Sequence, residues 1–214
     1  MQFQDLLEKY RQEAFNKRDQ GDRFERLTQA YLLTVPTYRG VIKKVWLWNE
    51  FPFKDQIGGQ DTGIDLVAKT AAGDYWAVQV KFFLESGTVD KAMLDTFLST
   101  SSRTFIDEEN QEKRFENRLF IYTADKWSKT AEETLKNQSI PVTRIGYGDL
   151  LISEVDWDKL DQGIHGEQAR GAKKSPRDHQ IEAQNKTRSH FQQQDRGKLI
   201  MACGTGKTYT ALQI

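Results

Sequence analysis

Apolar positions near the N-terminus recur at helical spacing. Phe3, Leu6, Leu7, Tyr10 and Phe15 fall on one side of a helix drawn over residues 1–18. Gly21-Asp22 is expected to interrupt it and to cap a second helix, 23–34, whose stripe is Phe24, Leu27, Tyr31 and Val35 and which Pro36 ends. The period then changes. Residues 40–48, rich in β-branched and aromatic side chains, predict a strand, and 49–62, with Pro52 and Gly58-Gly59, a loop. Residues 63–83 contain two β-rich runs around Thr70-Ala-Ala-Gly-Asp74, the pattern of a hairpin. Pairing residue 65 with 79 gathers Ile64, Leu66, Ala68, Trp76, Val78, Val80 and Phe82 on one wholly apolar face.

Beyond the hairpin the pattern predicts a helix over 89–100, a charged loop or solvated helix end over 107–114, and a buried strand over 118–122. A helix over 128–138, a strand over 140–145 and a short helix over 148–152 follow. This alternation is that of an α/β domain, a mixed central sheet flanked by helices. Residues 161–175 carry three glycines and almost no large apolar residue, so they read as a linker. The expected division is a domain over 1–158, a linker over 159–175 and the beginning of a second module over 176–214. That module opens with a helix from Pro176, continues in a strand over 197–201 and runs through a glycine-rich loop into another helix.

Composition narrows the function classes. Lys and Arg number 31, as do Asp and Glu, so the 214-residue chain has no net charge to draw it to a polyanion. Any nucleic-acid contact must come from a local basic patch. The single cysteine, Cys203, excludes an internal disulfide framework, and His165, His179 and His190 lack metal-ligand spacing. With no charged-then-apolar leader and no apolar run long enough to cross a bilayer, the chain is expected in the cytoplasm, without a membrane partner.

Chemistry concentrates on the polar face of the hairpin. Asp65 lies opposite Gln79, and Lys81 follows two residues on, with only Gly63 across from it and room left beside it. Asp65 and the Gln79 side-chain oxygen, helped by the Val80 carbonyl, suit a hard divalent cation such as Mg²⁺, and Lys81 would then stand beside an attacking water. A solvated face of a surface hairpin would show the same alternation. Against that, Val67, Ala77 and Phe83 share the face, which points to a half-buried cleft. The pattern Asp-x13-Gln-x-Lys resembles the PD-(D/E)XK nuclease superfamily, and glutamine at the second acid position resembles its Mrr-like restriction branch. The similarity covers residues 20–152. It implies a restriction-endonuclease-like fold, Mg²⁺-dependent hydrolysis that nicks double-stranded DNA, and an acid on the first core helix that reaches the metal through water. Glu25 is that candidate, a plain surface glutamate being the equal alternative. A neutral amide binds a cation less strongly than a carboxylate, which leaves the number of metals open. It also keeps a second reading alive, a catalytically inactive nuclease-fold clamp that binds DNA for a helicase motor.

The loop Ala202-Cys-Gly-Thr-Gly-Lys-Thr208 has the order strand, glycine-rich loop, helix that phosphate binding requires. Gly204 and Gly206 would turn backbone N–H groups toward a triphosphate, Lys207 would meet its β and γ phosphates, and the Thr208 hydroxyl would ligate Mg²⁺. Gln180 resembles the adenine-reading glutamine of superfamily 2 helicases, and Met201 replaces the first glycine of the general pattern, as in restriction-enzyme helicases. The sequence stops before an acidic strand or a second RecA-like lobe, so ATP use is expected only of a longer protein. Nuclease plus motor resembles the single-polypeptide Type ISP restriction-modification enzymes of phage defence. That likeness implies translocation on DNA, with helicase, methyltransferase and target-recognition parts following in the same polypeptide.

Overall fold

In the computed structural model, Asn16 accepts the Asp19 N–H at 2.9 Å and starts α2 (Lys17–Leu32), which follows α1 (Phe3–Glu13). The model describes all residues except 60–61, 84–86, 137, 172–175, 201–209 and 212–213. The expected break at Gly21-Asp22 is absent. Both residues lie inside α2, because burial of Phe24, Leu27 and Tyr31 outweighs the roughly 1 kcal/mol by which a helical glycine disfavours the helix.

The chain continues through β1 (Ile42–Leu47), a short α3 (Lys54–Ile57) within the expected loop, and the hairpin β2 (Leu66–Thr70) and β3 (Tyr75–Lys81). Then come β4 (Thr88–Val89), α4 (Lys91–Thr100), β5 (Thr104–Ile106), β6 (Glu112–Tyr122), β7 (Lys126–Trp127) and α5 (Lys129–Leu135). The first unit finishes with β8 (Val142–Ile145), α6 (Tyr147–Leu151) and α7 (Trp157–Asp161). Residues 112–114, expected in a loop or helix end, instead extend β6 and pair with β5. Their charges are tolerated because this part of the strand keeps an exposed face.

The main sheet runs β1-β2-β3-β6-β5, with β8 also on β6. The first three strands are antiparallel, while β3, β6 and β8 are parallel, so the sheet is mixed as expected. Alternation sends Leu66, Ala68, Val78, Val80, Leu119 and Ile121 to one face, where they join Leu6, Leu7, Leu27 and Tyr31 of α1 and α2. Val67, Tyr75, Ala77 and Phe120 go to the other, against Leu94 and Phe97 of α4. Ile64, expected with the first group, belongs to the second: it precedes β2, so strand parity does not govern it.

Two compact units are present, 1–172 and 173–214. The stretch expected to be linker therefore behaves otherwise over 159–171. Leu160 and Ala169 are buried, Asp161 accepts from Lys9 Nζ and Tyr10 Oη at 2.6 Å each, and Gly166 N donates to Thr34 Oγ1 at 2.8 Å. These hydrogen bonds, with Leu160 and Ile164 packed on the core, hold the segment. In the second unit, α8 (Asp178–Phe191) follows Pro176 as expected. Residues 197–200 form no strand, and residue 201 lies outside the described residues. No helix among the described residues is long and apolar enough to cross a membrane.

Candidate active site

The pairs Leu66 with Val78, Val67 with Ala77, Ala68 with Trp76 and Lys69 with Tyr75 set the hairpin register, and Asp65 comes just before the first of them. The backbone fixes Asp65 on both sides: its N–H donates to Val78 O at 2.9 Å, and its carbonyl accepts from Trp48 N at 2.8 Å. Gln79 and Lys81 alternate onto one face of β3, and Asp65 lines the same cleft as both. The Asp65 carboxylate accepts the Val80 N–H through Oδ2 at 2.6 Å, so Val80 directs its polar backbone toward the same edge. Gln79 is 2% exposed, yet its Oε1 has no hydrogen-bond partner among the described residues. A buried carbonyl oxygen without a donor is costly, which makes it a strong candidate ligand for a cation.

Gly63 lines the room expected beside Lys81, but its own Cβ direction is filled. Its φ is +68°, and a Cβ there would stand 2.9 Å from Phe97 N, 3.2 Å from Phe97 Cα and 3.3 Å from Gln79 Nε2. The backbone of α4 occupies that side. Space opens instead toward α2, as a cleft of 680 Å³ that brings Glu25 into line with Asp65, Gln79 and Lys81. Ala92, Met93 and Thr96 of α4 close its other side.

The charges in this cleft are coupled. Burial pushes the Asp65 carboxyl up to about 6, against the opposing pull of Lys81 and the Val80 N–H. Burial, with the charges of Asp65 and Asp22 adding to it, pushes Glu25 up to about 7, while Lys81 and Arg26 oppose the rise. Two carboxyl groups that resist ionisation, facing one lysine, form a site that an added positive charge would relieve. Among the described residues no three His, Cys, Asp or Glu side chains come together as a metal cluster, so any cation here relies on amide and carbonyl oxygens as well.

The cleft also contains groups that the sequence reading passed over. Arg18, Asp22 and Arg26 stand with Glu25 on one face of α2, at helical spacings that were legible only once the helix was taken to run through Gly21. In the second unit, Gln180 is buried and its Oε1 accepts the Arg177 N–H at 2.9 Å, closing the first turn of α8. Gly204, Gly206, Lys207 and Thr208 lie outside the described residues.

Comparison with known proteins agrees with this architecture. Residues 33–167 match a family model described as restriction endonuclease, and residues 173–214 match one described as Type III restriction enzyme, res subunit. Among solved structures, the ATP-dependent Type ISP restriction-modification enzyme LlaBIII bound to DNA matches at 32% identity and a TM-score of 0.57. The match covers 92% of this chain and 12% of that one, so the chain spans about an eighth of that enzyme's length. The DNA modification-dependent restriction endonuclease AspBHI matches at 15% identity over 75% of this chain and 35% of its own, with a TM-score of 0.43. MspJI restriction endonuclease, in complex with an oligonucleotide, matches at 14% identity over 69% and 29%, with a TM-score of 0.39. No curated protein matches. The chain belongs to the restriction endonuclease family: it is an Mrr-like restriction endonuclease domain followed by the start of a res-type helicase region.

Proposed function

We propose that the first unit is a Mg²⁺-dependent DNA endonuclease that hydrolyses phosphodiester bonds and nicks one strand at a time. The observation that carries this reading is the buried, unpartnered Gln79 Oε1 beside the Asp65 carboxylate, on the face that also bears Lys81. Those two side-chain oxygens and the Val80 carbonyl would hold the cation, and Glu25 would reach it through water. When bound, such an ion acts as a Lewis acid on the phosphate and lowers the pKa of a coordinated water. Lys81 offsets the negative charge that gathers on the phosphorus oxygens. Asp65 keeps its carboxylate aimed by accepting the Val80 N–H. LlaBIII is bound to DNA, which supports DNA as the substrate. The res-type match and the likeness to the ATP-dependent restriction-modification enzyme LlaBIII support ATP binding through Gln180, Gly204, Gly206, Lys207 and Thr208; translocation on DNA and methyltransferase and target-recognition parts are what the Type ISP resemblance implies for a longer polypeptide.

A plasmid assay tests the reading. Supercoiled DNA should relax with Mg²⁺ and not with chelator, and Asp65→Asn and Lys81→Met should each lower the rate about 100-fold or more. Relaxation that persists in both variants removes these residues from the chemistry. One observation favours a second reading, an inactive clamp: no group of three acidic or histidine ligands forms among the described residues. DNA binding without nicking at any divalent cation concentration would select it.

A further inference from the structure

Three arginines lie close together on α2, and they are not equivalent. Arg23 is ion-paired, its guanidinium 3.3 Å from both Asp19 and Glu13. Arg18 and Arg26 are exposed, line the cleft and have no ion-pair partner among the described residues. Asp22 is four residues from each of them, the spacing at which helical ion pairs form, and still pairs with neither. Residues eight apart in an α-helix are separated by about 12 Å along its axis, which corresponds to roughly three base steps of one DNA strand.

Beyond the cleft, Thr62 and Thr96 also line a second groove, of 430 Å³, with Ser99 and Arg103. The net charge of zero makes a local basic patch necessary for any polyanion to bind. We propose that Arg18 and Arg26 are phosphate contacts, which hold the backbone of the strand to be cut as it enters the cleft. The inference rests on the endonuclease reading for its substrate and adds the residues that bind it. Contacts of this kind position a strand without reading its sequence.

The test is binding of a fluorescently labelled DNA duplex by the whole chain, in an Asp65→Asn background that cannot cleave, as a function of salt. Each of Arg18→Ala and Arg26→Ala should flatten the slope of log affinity against log salt by about 0.9, and the double variant by about 1.8, equally for unrelated sequences. Arg26→Lys should restore the slope, and Arg23→Ala should leave it unchanged. Exposed side chains can be exchanged without unfolding, which melting curves of each variant would verify. An unchanged slope in the double variant overturns the inference even where the protein with Asp65 intact nicks plasmid. A slope that falls as described, in a protein that never nicks, upholds the phosphate contacts and removes the endonuclease reading instead.

Discussion

Replacing Gly63 by alanine should damage stability and cleavage together, since this residue lets α4 approach the site. Two costs add. An alanine held at φ +68° disfavours the fold by about 1–2 kcal/mol. Its Cβ would also stand 2.9 Å from Phe97 N, a backbone atom that cannot swing aside, and overpacking of this kind costs about 1–3 kcal/mol. The sum, about 2–5 kcal/mol, corresponds to a fall in Tm of roughly 5–15 °C for a unit of this size. Relief by shifting α4 would move the helix that closes the cleft, and a 1 Å misplacement can cost about 100-fold in rate. Gly73→Ala provides the control. Its φ is +92° with nothing within 4 Å of the added atom, so only the conformational cost applies. Calorimetry on both variants and plasmid relaxation at 20 °C, at which each remains folded, measure the two effects. Equal melting temperatures for the two variants, or unaltered nicking by Gly63→Ala, would refute the close approach of α4.

Arg118 is 1% exposed and donates to Ser101 Oγ, Ser102 Oγ, Leu98 O and Ile140 O, so Arg118→Met strips several buried acceptors at the end of α4. Urea unfolding should show a loss of about 3 kcal/mol or more. In chelator, stability should fall as pH rises from the ordinary carboxyl range to about 7. Asp65 and Glu25 hold protons in the folded chain that the unfolded chain has already released there, and urea midpoints across that window measure it. Asp65→Asn should flatten the dependence, and Mg²⁺ should raise the midpoint of the unsubstituted protein above pH 7 but not that of the variant. Asp161→Asn weakens the bonds to Lys9 and Tyr10 and should cost about 1–2 kcal/mol of first-unit stability, whereas no change in the urea midpoint would restore 159–171 to a linker.

The hairpin was legible because a period of two allows only one register that clears its apolar face of polar groups, and the pairing of Leu66 with Val78 is in that register. The start of α5 was legible because Ser128 caps it, whereas α4 begins at Lys91 rather than at 89, since Thr88 and Val89 pair with β7 and Asp90 caps the helix. Local rules failed where tertiary contacts outweighed them. Gly21 reads as a break, yet the apolar stripe of α2 carries the helix through it, and missing this hid Arg18 and Arg26. The segment 159–171 looks too polar to pack, but it is held by hydrogen bonds that composition does not register. Gly63 looked like open space because the approach of Phe97, distant in sequence, is invisible to strand pairing. The polar face of β2 and β3 showed which residues gather at the site, while the burial of Gln79 depends on α4 lying over it.

Crystals soaked in Mn²⁺ and measured at its absorption edge test the central claim most directly, since they locate the cation without depending on turnover. An anomalous peak should lie within about 2.0–2.3 Å of an Asp65 carboxylate oxygen, Gln79 Oε1 and the Val80 carbonyl, absent from Asp65→Asn crystals. A peak only elsewhere in the chain, or a peak there that survives loss of the carboxylate, would contradict the claim.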